Sequence, residues 1–421
     1  MPVFLWQCFI TFQQINLSCQ RIDGDIKSII TSKDITRPVW RLVSFPECHI
    51  RFTRDAIVLT QYIKCVVKSN LHRVKSDFKI ARPHTLFDCF KFLLDKVGVR
   101  WCNVPVPDVV PEDLDVKSIQ DFKESGIREK RMDAEVLTDT TEDFLSSLDM
   151  LVDGQITRAG ILMFHPKPEK RFPGSFIKIG FFRSDSDLAF QDEIHGSLVQ
   201  QVDRTFDLLT TKYMNYMITY QGLQRVETPP FPEDPLRECI LNAVAHKDYQ
   251  EQIPIQISVY PDRIVFWNPG QLPESWTVES LLKKHPSRAF NPAIANAFFR
   301  CGEVEAWGRG IGKIVNGAIA EKLLPPVFDT SLGGLMVTFY NSPAAQLKEA
   351  GISERGIQAV EFALKNGRIT NTDVQEMAKV SKPTATRLLA SLSDYLELKG
   401  TTGKGTYYTV KGLTKGSNFT E

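Results

Sequence analysis

The sequence predicts a mixed α/β (α+β) protein, and three observations lead there. A helix-forming stretch, PEDPLRECILNAVAHKDY, opens at Pro232 with Glu233 and Asp234 at its positive end. Two alternating runs, IPIQISVY and DRIVFWNPG, follow as a strand pair turning at Pro261-Asp262, and GGLMVTFY reads as a further strand. Between them Gly308, Gly310 and Gly312 open a second helix-like segment, EAWGRGIGKIVNGAIAEK.

Composition bounds the rest. With 421 residues, 43% hydrophobic and 24% charged, the chain has room for two to four globular domains, by the usual domain size of about 100–200 residues. The net charge of +1 hides a basic N-terminal region: residues 1–100 hold 16 Lys/Arg and 8 Asp/Glu, a local excess of +8 that points to a polyanionic partner. The eight cysteines form no C-x-x-C pair and do not cluster with histidines. Zinc and disulfide frameworks are therefore not expected, and a reducing cytoplasmic setting is. The apolar start MPVFLWQCFITFQQ lacks a basic flank and is broken by glutamines, so it reads as neither a signal peptide nor a membrane span.

In chain order, residues 1–85 alternate β-prone runs such as HIRFTRDAIVLTQYIKCVV with basic stretches. TLFDCFKFLLDKVGVRW has helical spacing, Pro111-Glu112-Asp113 marks a helix entry, and SIQDFKESGIREKRM and TEDFLSSLDML read as short amphipathic helices. GQITRAGILMF and GSFIKIGFF read as strands flanking a charged turn. A long helix is expected from about Gly196 to Tyr220, ended by Gly222.

The chemistry gathers after Pro232. Glu238, Asn242 and His246 recur every fourth residue and share one helix face. A carboxylate and an amide one turn apart suit two jobs at a phosphate, proton acceptance from water and oxygen coordination of Mg²⁺. Alternate glycines before a helix leave backbone N–H groups free to approach an anion. No G-x-x-x-x-G-K-[ST] loop occurs, so a P-loop helicase motor is not encoded.

The segments RECILNAVAHKDY, DRIVFWNPGQLP, HPSRAFNPAIANAFFRCGEVEAWGRGIGKI and GGLMVTF together resemble the histidine-kinase-like (Bergerat-fold) ATPases, in the divergent form of bacterial "RecG-like" regulators. The resemblance implies a Bergerat-type α/β sandwich binding ATP and Mg²⁺. Glu238 would be the water-polarising base and Asn242 the Mg²⁺ ligand. His246, Asn268, Gly270, Gly308, Arg309, Gly310 and Gly312 would form the rest of the nucleotide site. Where the wider superfamily reads adenine with an Asp and two following glycines, this chain has Asn268-Pro-Gly270-Gln. The family's usual N-terminal domain is Alba-like and of Schlafen type, but its acidic and glycine-rich motifs are missing here, which implies a divergent or truncated version.

NSPAAQLKEAG reads as a linker. Beyond it come a helix ending at Gly367, a short helix begun by Thr370, a helix begun at Ser381 and a glycine-tipped hairpin, an order that resembles a winged helix-turn-helix. Such a module would present Ser381, Lys382, Thr384, Thr386 and Arg387 to double-stranded DNA, with Lys404 on the wing. Residues 346–421 hold 11 Lys/Arg and 8 Asp/Glu, an excess of only +3. The expected domains are a basic region over 1–100, an α+β connecting region over 101–230, the ATP-binding domain over 231–342 and the winged helix over 346–412. The expected function is an ATP-binding, DNA-binding transcriptional regulator with possible weak ATPase activity, as a homodimer if it reads paired half-sites. A nucleotide-independent adaptor that keeps a degenerate ATPase fold is the alternative.

Overall fold

The computed structural model describes residues 100–421 except Glu274, 304–307, 401–404 and 412–421. The expectations for residues 1–99 and for Lys404 lie outside the described residues.

The first helices are α1 (Val116–Arg128), capped by the Asp115 side chain, and α2 (Thr141–Ser147), capped by Thr140. A two-residue pair follows, β1 (Leu151–Val152) and β2 (Gln155–Ile156), and then α3 (Arg158–Phe164). That helix corrects the expectation of a strand through GQITRAGILMF. Thr157 accepts from the Gly160 N–H as an N-cap, and every residue from Ala159 to Phe164 is buried. A helix covered on all sides shows no periodicity to read.

β3 (Ile177–Ser184) and β4 (Asp187–Ile194) form a hairpin that leads to α4 (Leu198–Leu208). Here the expected helix to Tyr220 is also corrected. After Leu208 the chain makes one π turn to Tyr213, and β5 (Met217–Gln221) pairs with β6 (Gln224–Thr228) across Gly222, whose φ of +64° is the hairpin turn. The Tyr213 hydroxyl donates to Asp192 Oδ2 at 2.6 Å. The Thr211 hydroxyl bonds back to the Asp207 carbonyl at 2.5 Å, and Met214 is already extended. These anchors end the helix where its apolar spacing alone does not.

α5 (Glu233–His246) precedes β7 (Ile255–Val259) and β8 (Arg263–Pro269). Next come α6 (Val278–Leu281), α7 (Pro292–Arg300) and α8 (Gly310–Ala320), then β9 (Val327–Asp329) and β10 (Gly334–Tyr340). One six-stranded sheet, in the order β4-β3-β7-β8-β10-β9, joins these strands; β3 and β7 run parallel and the other neighbours antiparallel. The expected mixed α/β architecture is thus present. Register places Ile257 and Val337 on either side of Phe266, and Val259 and Phe339 on either side of Ile264. All six are buried, and each such side chain is worth about 1.5–3 kcal/mol on leaving water. α5 packs against β8 and against α4, α7 and α8, so its polar stripe is held beside the end of β8.

After β10, the expected linker is instead α9 (Pro343–Glu349), capped by Ser342, with Leu347 fully buried and Gln346 Nε2 donating to the Pro325 carbonyl at 3.0 Å. A second apolar cluster then unites α10 (Glu354–Asn366), α11 (Asn371–Ala378) and α12 (Lys382–Ser391) with β11 (Leu396–Lys399) and β12 (Tyr407–Val410). Gly367 ends α10 in the left-handed conformation, a capping box at Thr370–Asp373 starts α11, and Ile369 bridges to Tyr408 beside the hairpin. No helix among the described residues is long and apolar enough to cross a membrane.

Candidate functional site

On α5, Asn242 Nδ2 donates to the Glu238 carbonyl at 2.8 Å and to Glu238 Oε1 at 2.9 Å. The amide thereby fixes one carboxylate oxygen, and Glu238 is only 7% exposed. One turn on, burial and the neighbouring His285 lower the His246 pKa to about 4, so its imidazole is neutral at physiological pH. The helix end is anchored from below. The fully buried Lys247 ammonium donates to the carbonyls of Asp248, Glu251 and Ile253, at 2.7 Å for the last. Asn291 Nδ2 ties α7 to the same end through the carbonyls of Ala245 and Lys247.

The end of β8 faces this helix. Asn268 continues the inward row of Ile264 and Phe266 and is 5% exposed, yet its Oδ1 has no hydrogen-bond partner. A buried, unpaired amide oxygen costs roughly 1–3 kcal/mol. The Asp248 N–H donates to the Pro269 carbonyl at 2.8 Å, and a Cβ on Gly270 would stand 3.0 Å from the His246 carbonyl. That close approach and the φ of +155° at Gly270 both favour glycine there.

The glycine segment closes the third side. Gly308 has φ +66°, and a Cβ there would lie 2.5 Å from the His285 carbonyl. At Gly310, the first residue of α8, a Cβ would collide with Glu238 Oε1 and come within 2.9 Å of Asn242 Nδ2. The backbone at the positive end of α8 therefore lies directly against the carboxylate–amide pair.

These elements enclose a cavity of about 780 Å³. Glu238, Asn242, His246, Asn268, Gly270, Gly308 and Gly310 all line it, although they are spread over more than seventy residues of sequence. Arg309 is exposed and Gly312 is buried within α8, and neither is in the lining. Of the basic residues between the two motifs, His285 and Arg288 line the cavity, whereas Lys283 pairs with Glu279 at 2.6 Å outside it. Sequence reading missed Arg100, Asp248, Leu272, Trp276 and Leu281, which complete the walls. The Trp276 ring meets His285 edge-on at 4.6 Å. Tryptophan beside the Asn-Pro-Gly turn is the one signal in the sequence that pointed to this wall. Phe266 and Val337 make an apolar floor.

A second group of expected site residues lies on the C-terminal module. Ser381, Lys382, Thr384, Thr386 and Arg387 are all exposed on the first turns of α12. Asn371 Nδ2 donates to Thr386 Oγ1 at 2.9 Å, which ties α11 to α12.

Residues 253–339 match the family model described as "Putative ATP-dependent DNA helicase recG C-terminal". No curated protein matches the chain. Among solved structures, the DIP2311 protein from Corynebacterium diphtheriae is similar at 18% identity and a TM-score of 0.50 over 74% of this chain, a likeness of fold. The match spans 65% of that protein's chain. Glu238 and Asn242 precede the matched segment, but α5 packs on its strand β8 and places both in the same cavity. An ATPase-like domain of the RecG C-terminal type is thus present in this chain.

Proposed function

We propose that the chain is an ATP-binding transcriptional regulator in which Mg²⁺-dependent nucleotide binding between α5, β8 and α8 alters DNA binding by the C-terminal module. The observation that carries the reading is the convergence of Glu238, Asn242, Asn268, Gly270, Gly308 and Gly310 on one cavity, with the backbone of Gly310 against Glu238 and Asn242. The donor set suits a hard cation. Asn242 directs its amide nitrogen to Glu238, and its carbonyl oxygen would be the ligand offered to the cation. Mg²⁺ bound there would neutralise phosphate charge. Asn268 reads the base, Phe266 and Val337 receive its ring, and the N–H groups at the start of α8 meet the phosphates. Glu238, held through one oxygen by Asn242, is the base that would accept a water proton.

The C-terminal module is read as a winged helix-turn-helix over 346–412, with α12 presenting its exposed Ser381, Lys382, Thr384, Thr386 and Arg387 to the major groove. The other proposed domains are the basic region over 1–100, the connecting region over 101–230 and the ATP-binding domain over 231–342. Switching requires nucleotide to favour one arrangement of the protein over another. The test is selection of full-length protein on a random-sequence duplex DNA pool, with and without ATP and Mg²⁺. Enrichment of specific sequences whose affinity changes with nucleotide supports the reading. Absence of any enriched sequence in either condition rejects the regulator and favours the adaptor.

A further inference from the structure

We propose that the cavity is a general purine-nucleotide site, taking guanine as well as adenine because residue 268 is an asparagine. This deepens the nucleotide reading above and rests on it. Asn268 is 5% exposed, sits at the cavity end of the inward row Ile264, Phe266, Asn268, and leaves Oδ1 unpaired. No hydrogen bond from another described residue reaches that oxygen.

An amide carries one donor and one acceptor side by side. In one orientation Oδ1 accepts from the 6-amino group of adenine while Nδ2 donates to N1. Turned over, Nδ2 donates to the 6-oxo oxygen of guanine while Oδ1 accepts from N1–H. A carboxylate at this position could only accept, and in the same pose it would repel a 6-oxo oxygen. Phe266 and Val337 offer an apolar floor to either ring, and Asp248 already accepts the Gln250 N–H at Oδ1, 3.0 Å away.

The test uses full-length protein with Mg²⁺ and fluorescently labelled ATP and GTP, displaced by ATP, GTP, ITP and CTP. ITP keeps the 6-oxo group but lacks the 2-amino group, so it isolates the edge that residue 268 faces. Expected affinities for ATP, GTP and ITP lie within about tenfold of one another, with CTP weaker than all three by more than about tenfold. Asn268→Asp should move both the GTP/ATP and ITP/ATP ratios toward ATP by about tenfold or more. A wild-type preference for ATP over both GTP and ITP beyond about tenfold overturns the inference, as does CTP binding as tightly as ATP. The wild-type ratios decide the matter even if Asn268→Asp does not fold. Failure of both labelled nucleotides to bind removes the nucleotide reading itself and this inference with it.

Discussion

The backbone of Gly310 lies against the carboxylate of Glu238, 72 positions earlier in the chain, with no room for a Cβ between them. Gly310→Ala must therefore displace a buried Glu238 that Asn242 holds in place. The expected result is a loss of ATP affinity of about tenfold or more, with stability lowered by only about 1 kcal/mol, since alanine otherwise favours a helix over glycine by a similar amount. Calorimetry and thermal melting of the same sample separate the two effects.

The role proposed for Glu238 as a base is separable from binding. If the protein hydrolyses ATP, Glu238→Ala should lower kcat by about 10²–10⁴, the usual contribution of a positioned base, while retaining most of the affinity. Steady-state phosphate release alongside a binding titration checks both halves. Equal turnover by the wild type and the variant would reject the assignment.

His246 gives the fold an acid sensitivity. Its folded pKa of about 4 lies below the ordinary 6.5, because burial and His285 disfavour the charged ring. Between those values the unfolded chain binds a proton that the folded chain does not, so stability falls as pH drops from about 6.5 toward about 4. The contribution lost is on the order of 2 kcal/mol after allowance for partial exposure. Urea unfolding at pH 7 and pH 5 should show a larger difference for wild type than for His246→Gln.

The Lys382 and Arg387 side chains are exposed at the start of α12, and the Lys382 carbonyl that accepts from Asn371 and Thr386 is retained by alanine. The double variant Lys382→Ala/Arg387→Ala should melt within about 0.5 kcal/mol of wild type, the range of ordinary surface changes. Its affinity for the selected DNA should fall, and the slope of log K against log salt should decrease by about 1 for each phosphate contact removed. An unchanged slope and affinity would place the DNA contact elsewhere.

The sequence was legible where polarity and spacing agreed. α5 announced itself through Glu233 and Asp234 at its start and through the four-residue repeat of Glu238, Asn242 and His246. β8 was readable because Ile264 and Phe266 alternate with half-buried neighbours, and that row carries Asn268 into the cavity. α3 was not, because residues 159–164 are buried on every side and leave no stripe. Residues 209–220 kept apolar spacing compatible with a helix, and it was the long-range bond from Tyr213 to Asp192 that turned them aside. Trp276 and Arg100 reach the cavity from irregular segments, to which no periodicity applies. Site chemistry on regular elements can be read from spacing, whereas walls supplied by loops need the fold.

The most direct test of the account is calorimetric titration of full-length protein with ATP, with and without Mg²⁺, for wild type and Asn242→Ala. The account predicts Mg²⁺-dependent binding by wild type that weakens by about tenfold or more in the variant, where the oxygen ligand is lost and Glu238 is no longer held. No ATP binding by wild type, or identical Mg²⁺-dependent binding by both proteins, would contradict it.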